Sequence, residues 1–156
     1  MNRPIDLREL AGFLDEANKH GYAAGGKKVS PTRISSKDLE YKKGNLIYHD
    51  TYFGVRDYIG EEVVYKDEKP IWGANYLGFI LDDGFAADQV YDFLKKSLTQ
   101  EYDDIIPVRG PKFFEEGDYQ YINTAEGKLD KFTGKEEILF KDKVVYRAFY
   151  HGGFIK

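Results

Sequence analysis

The sequence predicts an α+β domain in which two helices cover one face of a twisted antiparallel sheet of about six to eight strands. Two long segments, Gly60–Ile80 and Gly134–Ile155, share one pattern: a β-rich run, a charged turn around Lys-Asp, and an aromatic-rich run that ends in Gly-Phe-Ile. Two amphipathic segments with helical spacing are separate from these strands. Glycine, proline and aspartate turns divide the remaining β-rich runs, as is typical of antiparallel meanders.

The composition is that of one ordinary globular domain, which we place at residues 1–156. The net charge is −4 and no basic run exceeds two residues, which argues against a nucleic-acid partner. The absence of cysteine excludes disulfides and thiolate catalysis. The N-terminal residues lack the apolar core of a signal peptide, and no run approaches the ~18 apolar residues of a membrane span. We therefore expect a cytoplasmic protein with no membrane partner.

The first half begins with an amphipathic helix. Asp6 is placed as its N-cap, Glu9 follows at the capping-box spacing, and Gly21 ends the helix. Its apolar face comprises Leu7, Leu10, Leu14 and Ala17. A loop over residues 21–37 leads into two hairpins. The predicted strands occupy residues 39–42, 46–53, 58–66 and 71–80.

The second half repeats this order of elements. Asp82-Asp83-Gly84 is predicted to cap and start a second helix. The apolar face of that helix comprises Ala86, Ala87, Val90, Phe93, Leu94 and Leu98. Strands follow at residues 113–114, 119–124, 129–140 and 144–154. The apolar runs 71–80 and 144–154 require burial, so we expect these two strands near the middle of the sheet.

The repeated order predicts an internal duplication with a pseudo-two-fold axis, in halves of about 1–80 and 81–156. Identical residues recur at a spacing of 73 to 76 positions. The alternative is that two four-stranded meanders share turn chemistry without common descent. The matching identities pair Pro31, Arg33, Gly44, Tyr48, Thr51 and Gly54 with Pro107, Arg109, Gly117, Tyr121, Thr124 and Gly127.

Aromatic residues are abundant, with 13 Tyr, 11 Phe and 1 Trp. Small residues between aromatics on one strand face leave room either for helix packing or for the floor of a pocket, and both interpretations stay open. Asn75, Phe149 and His151 point to the opposite face. The four aromatics that share the first face are Trp72, Tyr76, Tyr146 and Tyr150, separated by Ala74 and Ala148.

Two arginines occupy equivalent Pro-x-Arg positions in the two long loops, Arg33 and Arg109. We expect pseudo-symmetry to place both at the mouth of a cleft above the aromatics, where guanidinium groups would bind an anionic ligand. The alternative is a surface ion pair for each. The candidate ligand-binding residues are therefore Trp72, Tyr76, Tyr146, Tyr150, Arg33, Arg109 and His151.

Signals for catalysis or metal binding are sparse. His20, His49 and His151 are the only imidazoles, and none has a zinc-site spacing. His151 is the best catalytic candidate, because the glycines that follow it permit close ligand approach. Adjacent acids such as Glu61-Glu62 split between the faces of a strand, so each pair is expected to give one solvated carboxylate. We predict no catalytic residue, no metal site and no cofactor.

Residues 21–28 nearly match the phosphate-binding loop G-x-x-x-x-G-K-[ST]. That motif must follow a strand and open a helix. Here it follows a helix, and Lys28 stands where the hydroxyl residue would hold Mg²⁺. We interpret it as a helix C-cap with a glycine loop.

Seven short motifs lie in order along the chain: Glu40-Tyr41, Asp50-Thr51-Tyr52-Phe53-Gly54, Tyr58–Val64, Pro70–Tyr76, Arg109-Gly110-Pro111, Glu116–Tyr119 and His151–Ile155. In these motifs the chain resembles the domain-of-unknown-function family 5680 of bacteria and archaea over nearly its whole length. The resemblance implies a sensing or effector-binding role, because family members occur alone or behind a Cro-like helix-turn-helix. Since the first helix is predicted to start near Asp6, we expect no space for such a DNA-binding domain here.

Our leading hypothesis is a non-catalytic small-molecule-binding or sensory module. One alternative is an enzyme of unassigned class that uses His151 and a convergent carboxylate. Another is a protein-interaction module whose aromatic surface meets a partner. A tyrosine-lined pocket with few titratable groups would favour binding, and strongly perturbed acids in one cleft would favour catalysis.

Overall fold

The computed structural model describes residues 3–21, 27–101 and 109–156. The α+β class is confirmed, and the described residues form nine strands where about six to eight were predicted. The strand without a prediction is β1, whose two residues are too few to show any alternation of apolar and polar side chains. The elements are α1 Leu7–His20, β1 Lys28–Val29, β2 Lys37–Lys43, β3 Leu46–Gly54, β4 Tyr58–Lys66, β5 Lys69–Ile80, α2 Ala87–Leu98, β6 Phe113–Glu116, β7 Tyr119–Lys128, β8 Lys131–Phe140 and β9 Lys143–Phe154.

All nine strands belong to one antiparallel sheet in the order β1-β2-β3-β4-β5-β9-β8-β7-β6. Two meanders, β2–β5 and β6–β9, meet where β5 pairs with β9. The prediction that residues 71–80 and 144–154 run near the middle of the sheet is confirmed.

Both helices pack on the same face of this sheet. Residues that are directly opposite each other on neighbouring strands share a face, and the register pairs Tyr76 with Tyr150 and Ile80 with Tyr146. Helix α1 packs in the cluster that contains Tyr76 and Tyr150. Helix α2 packs in the cluster that contains Ile80 and Tyr146. The expected placement of both helices on one side is therefore confirmed.

The two helix starts differ from each other. Helix α1 begins as predicted, because the Asp6 side chain accepts hydrogen bonds from the backbone N–H groups of Arg8 and Glu9. The prediction that Asp82-Asp83 caps helix α2 is wrong. The Asp82 side chain instead accepts from the Gly84 N–H at 2.8 Å, which forms a turn ahead of the helix. Helix α2 starts at Ala87, with Ala86 as an N-cap that makes no side-chain bond.

The two meanders place the same residue types at the same register positions. Gly60 is opposite Tyr76 on β4 and β5, and Gly134 is opposite Tyr150 on β8 and β9. The register shifts after Val64 in one hairpin and after Ile138 in the other. The turns that follow carry left-handed residue pairs at 67–68 and 141–142.

Candidate functional site

A cavity of about 150 Å³ lies between the two helices and the sheet. Its floor comes from β3, β4 and β5, and its walls come from α1, α2, the turn after β3 and Arg109. Five tyrosines line it, together with two carboxyl groups. The lining residues are Asn18, Lys37, Tyr48, Asp50, Tyr52, Gly54, Val55, Tyr58, Glu62, Tyr76, Tyr91, Leu98 and Arg109.

The two acids on the floor are Asp50 and Glu62, which are direct partners across β3 and β4. Strand alternation turns both toward the helices, and their residues are only 4% and 5% exposed. The Tyr76 hydroxyl donates to Asp50 Oδ1 at 2.5 Å. The Tyr48 hydroxyl donates to the Glu62 carboxyl group. Among the described residues, the side chains that hydrogen-bond to the two acids are thus tyrosine hydroxyls rather than cations.

Burial raises the pKa of both acids. Loss of hydration is the main cause, and it raises the pKa of Asp50 to about 6 and that of Glu62 to about 8. Repulsion from Asp50 raises the Glu62 pKa further, while the charge of Arg109 acts in the opposite direction. The two acids are therefore not both ionised near neutral pH, and the proton that the pair retains is favoured on Glu62.

Arg109 forms a buried ion pair at one side of the cavity. One of its terminal nitrogens is 2.6 Å from Glu136 Oε1, and its Nε is 3.3 Å from Oε2. Tyr121 and Tyr146 donate to the same carboxylate at 2.7 and 2.9 Å. The guanidinium carbon also lies 5.4 Å from the centre of the Tyr76 ring. The charge of Glu136, whose residue is 0% exposed, is thus compensated inside the protein.

The rim of the cavity combines aromatic rings with one lysine. Lys37 Nζ lies 5.5 Å from the centre of the Tyr52 ring and donates to the Gly54 carbonyl at 3.1 Å. The Tyr58 and Tyr91 rings meet edge to face at 5.8 Å. The opening is therefore surrounded by aromatic surface.

Of the four predicted aromatics, only Tyr76 lines the cavity. Trp72 is a core residue, whose Nε1 donates to the Leu129 carbonyl at 2.8 Å. Tyr146 and Tyr150 are buried beside the cavity without lining it. Tyr76 therefore forms part of a pocket floor, whereas Trp72, Tyr146 and Tyr150 belong to the packed core.

The structure places Arg109 at the cavity but Arg33 on the other face of the sheet. Arg33 donates to Glu61 at 3.0 Å, and its side chain is 55% exposed. Glu61 precedes Glu62 on β4 and so points away from the helices. The expected pairing of Arg33 and Arg109 at one mouth is wrong. Arg33 and Arg109 therefore lie on opposite faces of the sheet.

His151 also lies on the face away from the helices. It is exposed, and the residues directly opposite it are Asn75 and Thr133. No carboxylate occupies either of these two register positions. The structure thus does not assemble the predicted combination of His151 with a convergent acid at this point of the sheet.

Three inward acids are functional candidates that the sequence did not bring together: Asp50, Glu62 and Glu136. Two of the adjacent acid pairs split between the faces as predicted, since Glu61 and Glu137 bond to arginines on the outer face. Glu115 and Glu116 are both exposed, and the predicted pair at 103–104 lies outside the described residues. The usable signal was the alternation Gly60, Glu62, Val64, which puts an acid on an otherwise apolar face.

The outer face carries a second polar cluster around Asp38. Its carboxylate accepts from Thr32 at 2.7 Å, Ser36 at 2.5 Å, His49 at 2.7 Å and Thr51 at 2.8 Å. Burial acts against the charge, but these bonds outweigh it and hold the Asp38 pKa well below its usual range. We interpret the cluster as an anchor of β2 and the preceding turn.

The outer face also has an apolar row across three central strands. Ile59, Leu77 and Phe149 are direct partners along β4, β5 and β9, and each is between 42% and 54% exposed. Phe79 packs against Phe149 with ring centres 6.2 Å apart. This exposed row is apolar but mainly aliphatic, with Phe149 as its one aromatic member.

The fold and the cavity define an α+β domain with a carboxyl-lined pocket between two helices and an open sheet. The family model described as Domain of unknown function (DUF5680) matches residues 50–155. The chain belongs to this family, and the match includes Asp50, Glu62, Arg109 and Glu136. Comparisons with curated proteins and with solved structures found no match.

The described residues contain neither a metal-binding cluster nor a membrane-spanning helix. No group of three or more His, Asp or Glu side chains in residues 3–21, 27–101 and 109–156 is arranged to hold a metal ion. Neither described helix has the length and hydropathy needed to cross a bilayer.

Proposed function

We propose that this domain binds a small molecule in the cavity between α1 and α2, as a non-catalytic or sensory module. The observation that carries the proposal is the cavity itself, whose aromatic lining is interrupted by a few convergent polar groups. Ligand pockets are typically built in this way. A volume of about 150 Å³ is that of apolar cavities that hold one benzene-sized molecule.

The position of the cavity supports a sensory role. Asn18 belongs to α1, while Tyr91 and Leu98 belong to α2, and all three line the same space. A ligand there would contact both helices and the sheet at once. Its binding would therefore favour one arrangement of the helices, which a partner could detect.

A thermal-shift screen with a fragment library tests the binding function. Fragments that bind the native state raise its melting temperature by mass action. Val55 lies at the rim and is 75% exposed, so Val55→Trp should block the opening without disturbing the core. The matched control is Leu77→Trp on the outer face, where the residue is 42% exposed.

We expect fragment-induced shifts in the wild type and in Leu77→Trp, and their loss in Val55→Trp at an unchanged unliganded melting temperature. Shifts that persist in Val55→Trp would place binding elsewhere. A library without any stabilising fragment would contradict the function.

Proton-transfer catalysis is the second candidate, and one specific observation favours it. Asp50 and Glu62 are adjacent acids whose pKa values, about 6 and about 8, differ enough to make one a base and the other an acid near neutral pH. Pairs of carboxyl groups with separated pKa values serve general acid–base chemistry.

The NMR spectra of bound fragments before and after long incubation separate the two functions. Fragments that remain unchanged support binding alone. Conversion that disappears in Asp50→Asn would replace the binding function with catalysis, and conversion that survives this substitution would point to a contaminant.

We also infer that the two meanders arose by internal duplication. The inference is supported by the matched Gly–Tyr pairs, the matched register shifts and the matched left-handed turns. Reconstruction of ancestral family sequences tests it, because the halves should become more alike toward the root. Halves that diverge toward the root would favour convergence.

A further inference from the structure

Glu62 and Glu136 occupy matching positions in the two meanders. Glu62 is opposite Ala74 across β4 and β5, and Glu136 is opposite Ala148 across β8 and β9. A tyrosine hydroxyl of the neighbouring strand donates to each, Tyr48 to Glu62 and Tyr121 to Glu136. The two carboxyl groups are thus held in equivalent surroundings.

The two carboxyl groups differ in the groups that are available to compensate their charge. Glu136 receives two hydrogen bonds from the guanidinium of Arg109 and a further one from Tyr146. At the position of Tyr146, the first meander has Trp72, whose N–H bonds to a backbone carbonyl instead. Glu62 makes no ion pair with any described residue, and it lines the cavity.

The arginine at the equivalent sequence position does not reach Glu62. Arg33 lies on the outer face, where it is bonded to Glu61. Glu62 instead lines the cavity, where a ligand can contact its carboxyl group.

A second difference adds to the negative charge of this half. Tyr76 donates to Asp50, whereas the matching Tyr150 donates to Asn123, an uncharged amide. The helix-facing side of the sheet thus brings three buried carboxyl groups, those of Asp50, Glu62 and Glu136, around one guanidinium. Once ionised, Asp50 and Glu62 are buried charges that require compensation, and both line the cavity, where a bound cation would supply it.

The walls of the cavity are suited to a cation. Aromatic faces attract positive charge, and two such contacts already exist, Arg109 over Tyr76 and Lys37 over Tyr52. An ammonium or amidinium group would meet the same kind of surface between the carboxyl groups and the tyrosines.

We propose that the cavity binds a small organic cation, which takes at Glu62 the place that the Arg109 guanidinium takes at Glu136. This inference rests on the proposed function, since it names the ligand class of the same cavity. The cationic group lies against Glu62 and Asp50, and the apolar body of the ligand packs against the tyrosines at the rim.

Binding of a cation should release protons. Besides each other and the tyrosines bonded to them, the charged groups that act on the two acids are Arg109, Glu136, His49 and Asp38. Lys37 reaches the cavity from β2, but its amine is directed to Tyr52 and Gly54. A bound cation favours the ionised acids, so its affinity should rise as the pH rises through the range in which both acids titrate.

Three isosteric probes test the ligand class by calorimetric titration: benzamidine, benzamide and benzoate. They share a benzene ring and a planar head group and differ in charge, which is positive, neutral and negative. We expect benzamidine to bind at least about tenfold more tightly than benzamide. We expect benzoate to bind least, although Arg109 is close by, because Glu136 already compensates that guanidinium.

Two isosteric variants locate the effect. Glu62→Gln and Asp50→Asn should each remove the preference for benzamidine while benzamide binding is retained. Asparagine occupies the matching position 123 in the second meander, so Asp50→Asn is compatible with the fold. Glu61→Gln, one residue away on the outer face, is the control and should bind all three probes as the wild type does.

The outcomes separate this inference from the proposed function. Equal binding of benzamide and benzamidine, both blocked by Val55→Trp, would overturn the cation preference and leave the binding function intact. Tighter binding of benzoate would overturn it in favour of an anion at Arg109. If no probe binds in a way that Val55→Trp blocks, both the cation preference and the binding function are overturned. If the preference for benzamidine survives in Glu62→Gln and Asp50→Asn, the cation does not lie against these two acids.

Discussion

Tyr76 and Tyr150 lie directly opposite each other where the two meanders join, on β5 and β9. Each ring covers a glycine of the next strand outward, Gly60 for Tyr76 and Gly134 for Tyr150. Each hydroxyl then reaches a polar side chain one strand further, Asp50 or Asn123. The pair thus marks the point about which the halves of the sheet match, and only the first half has a carboxylate at the end of this chain of contacts.

The glycines under these rings should be intolerant of a methyl group. A Cβ at Gly60 would lie 2.3 Å from the Tyr76 hydroxyl oxygen, and one at Gly134 would lie 2.1 Å from Cζ of Tyr150. Because both rings are buried, Gly60→Ala and Gly134→Ala should each cost about 1–3 kcal/mol of unfolding free energy. Urea denaturation measures this. Gly12→Ala, in open space on α1, should instead be neutral or stabilising by up to about 1 kcal/mol. Equal effects at all three sites would contradict the close packing.

Much of the fold could be predicted because its signals are local. The N-cap Asp6 and the periodic leucines define α1, and the turn residues define the hairpins. The start of α2 could not be predicted in this way. Asp82 has the right chemistry for a cap, but its backbone and side chain instead form a turn to which Arg56, from a distant loop, donates. Such a long-range contact leaves no sequence pattern.

The candidate site was only partly predictable, for a related reason. Tyr76 could be identified because small residues alternate with aromatics on its strand face, and Arg109 because it matches the Pro-x-Arg position of Arg33. The sequence predicts that one of Glu61 and Glu62 is solvated, but it does not show which one. Strand alternation shows that one of the two points inward, but which face becomes the inner one depends on where the helices pack. The pairing of Asp50 with Glu62 depends on strand register, which sequence spacing alone does not give.

The buried Arg109–Glu136 ion pair should contribute far more to the free energy of unfolding than the exposed Arg33–Glu61 pair on the outer face. Arg109→Met leaves Glu136 buried without its cation and should cost about 3–5 kcal/mol. Arg33→Met breaks only an exposed pair and should cost less than about 1 kcal/mol. Chemical denaturation of both variants provides the comparison. A similar loss in the two would mean that the Arg109 pair is not desolvated in solution.

The unliganded protein should lose stability as the pH rises from about 4.5 to about 8. The folded-state pKa of Glu62 is raised to about 8 from 4.5, so the folded state binds more protons than the unfolded chain between these values. Its stabilising contribution is complete below the unfolded pKa and is lost as the pH rises through about 8. We expect the unfolding free energy to be a few kcal/mol lower at about pH 9 than at about pH 6.

Glu62→Gln should remove much of this loss of unfolding free energy with rising pH, because glutamine stays neutral across the range. The loss of unfolding free energy at low pH should remain in that variant. Asp38 has a lowered folded-state pKa, so its contribution is present above its unfolded pKa and is lost as the pH falls below that range. If the unfolding free energy falls equally with rising pH in Glu62→Gln and in the wild type, Glu62 is not responsible for the loss.

Tyr76→Phe and Tyr150→Phe form a matched pair that separates stability from binding. Each removes one buried hydroxyl that donates to an acceptor, at 2.5 Å to Asp50 and at 2.6 Å to Asn123. Both should therefore cost about 1–3 kcal/mol in urea denaturation. Only Tyr76 lines the cavity, and its hydrogen bond holds down the pKa of Asp50. Tyr76→Phe should accordingly raise that pKa and weaken benzamidine binding near neutral pH, whereas Tyr150→Phe should leave the benzamidine-induced thermal shift unchanged. Equal loss of the shift in both variants would mean that the site extends across the β5–β9 pair, and equal retention would mean that Tyr76 does not form part of it.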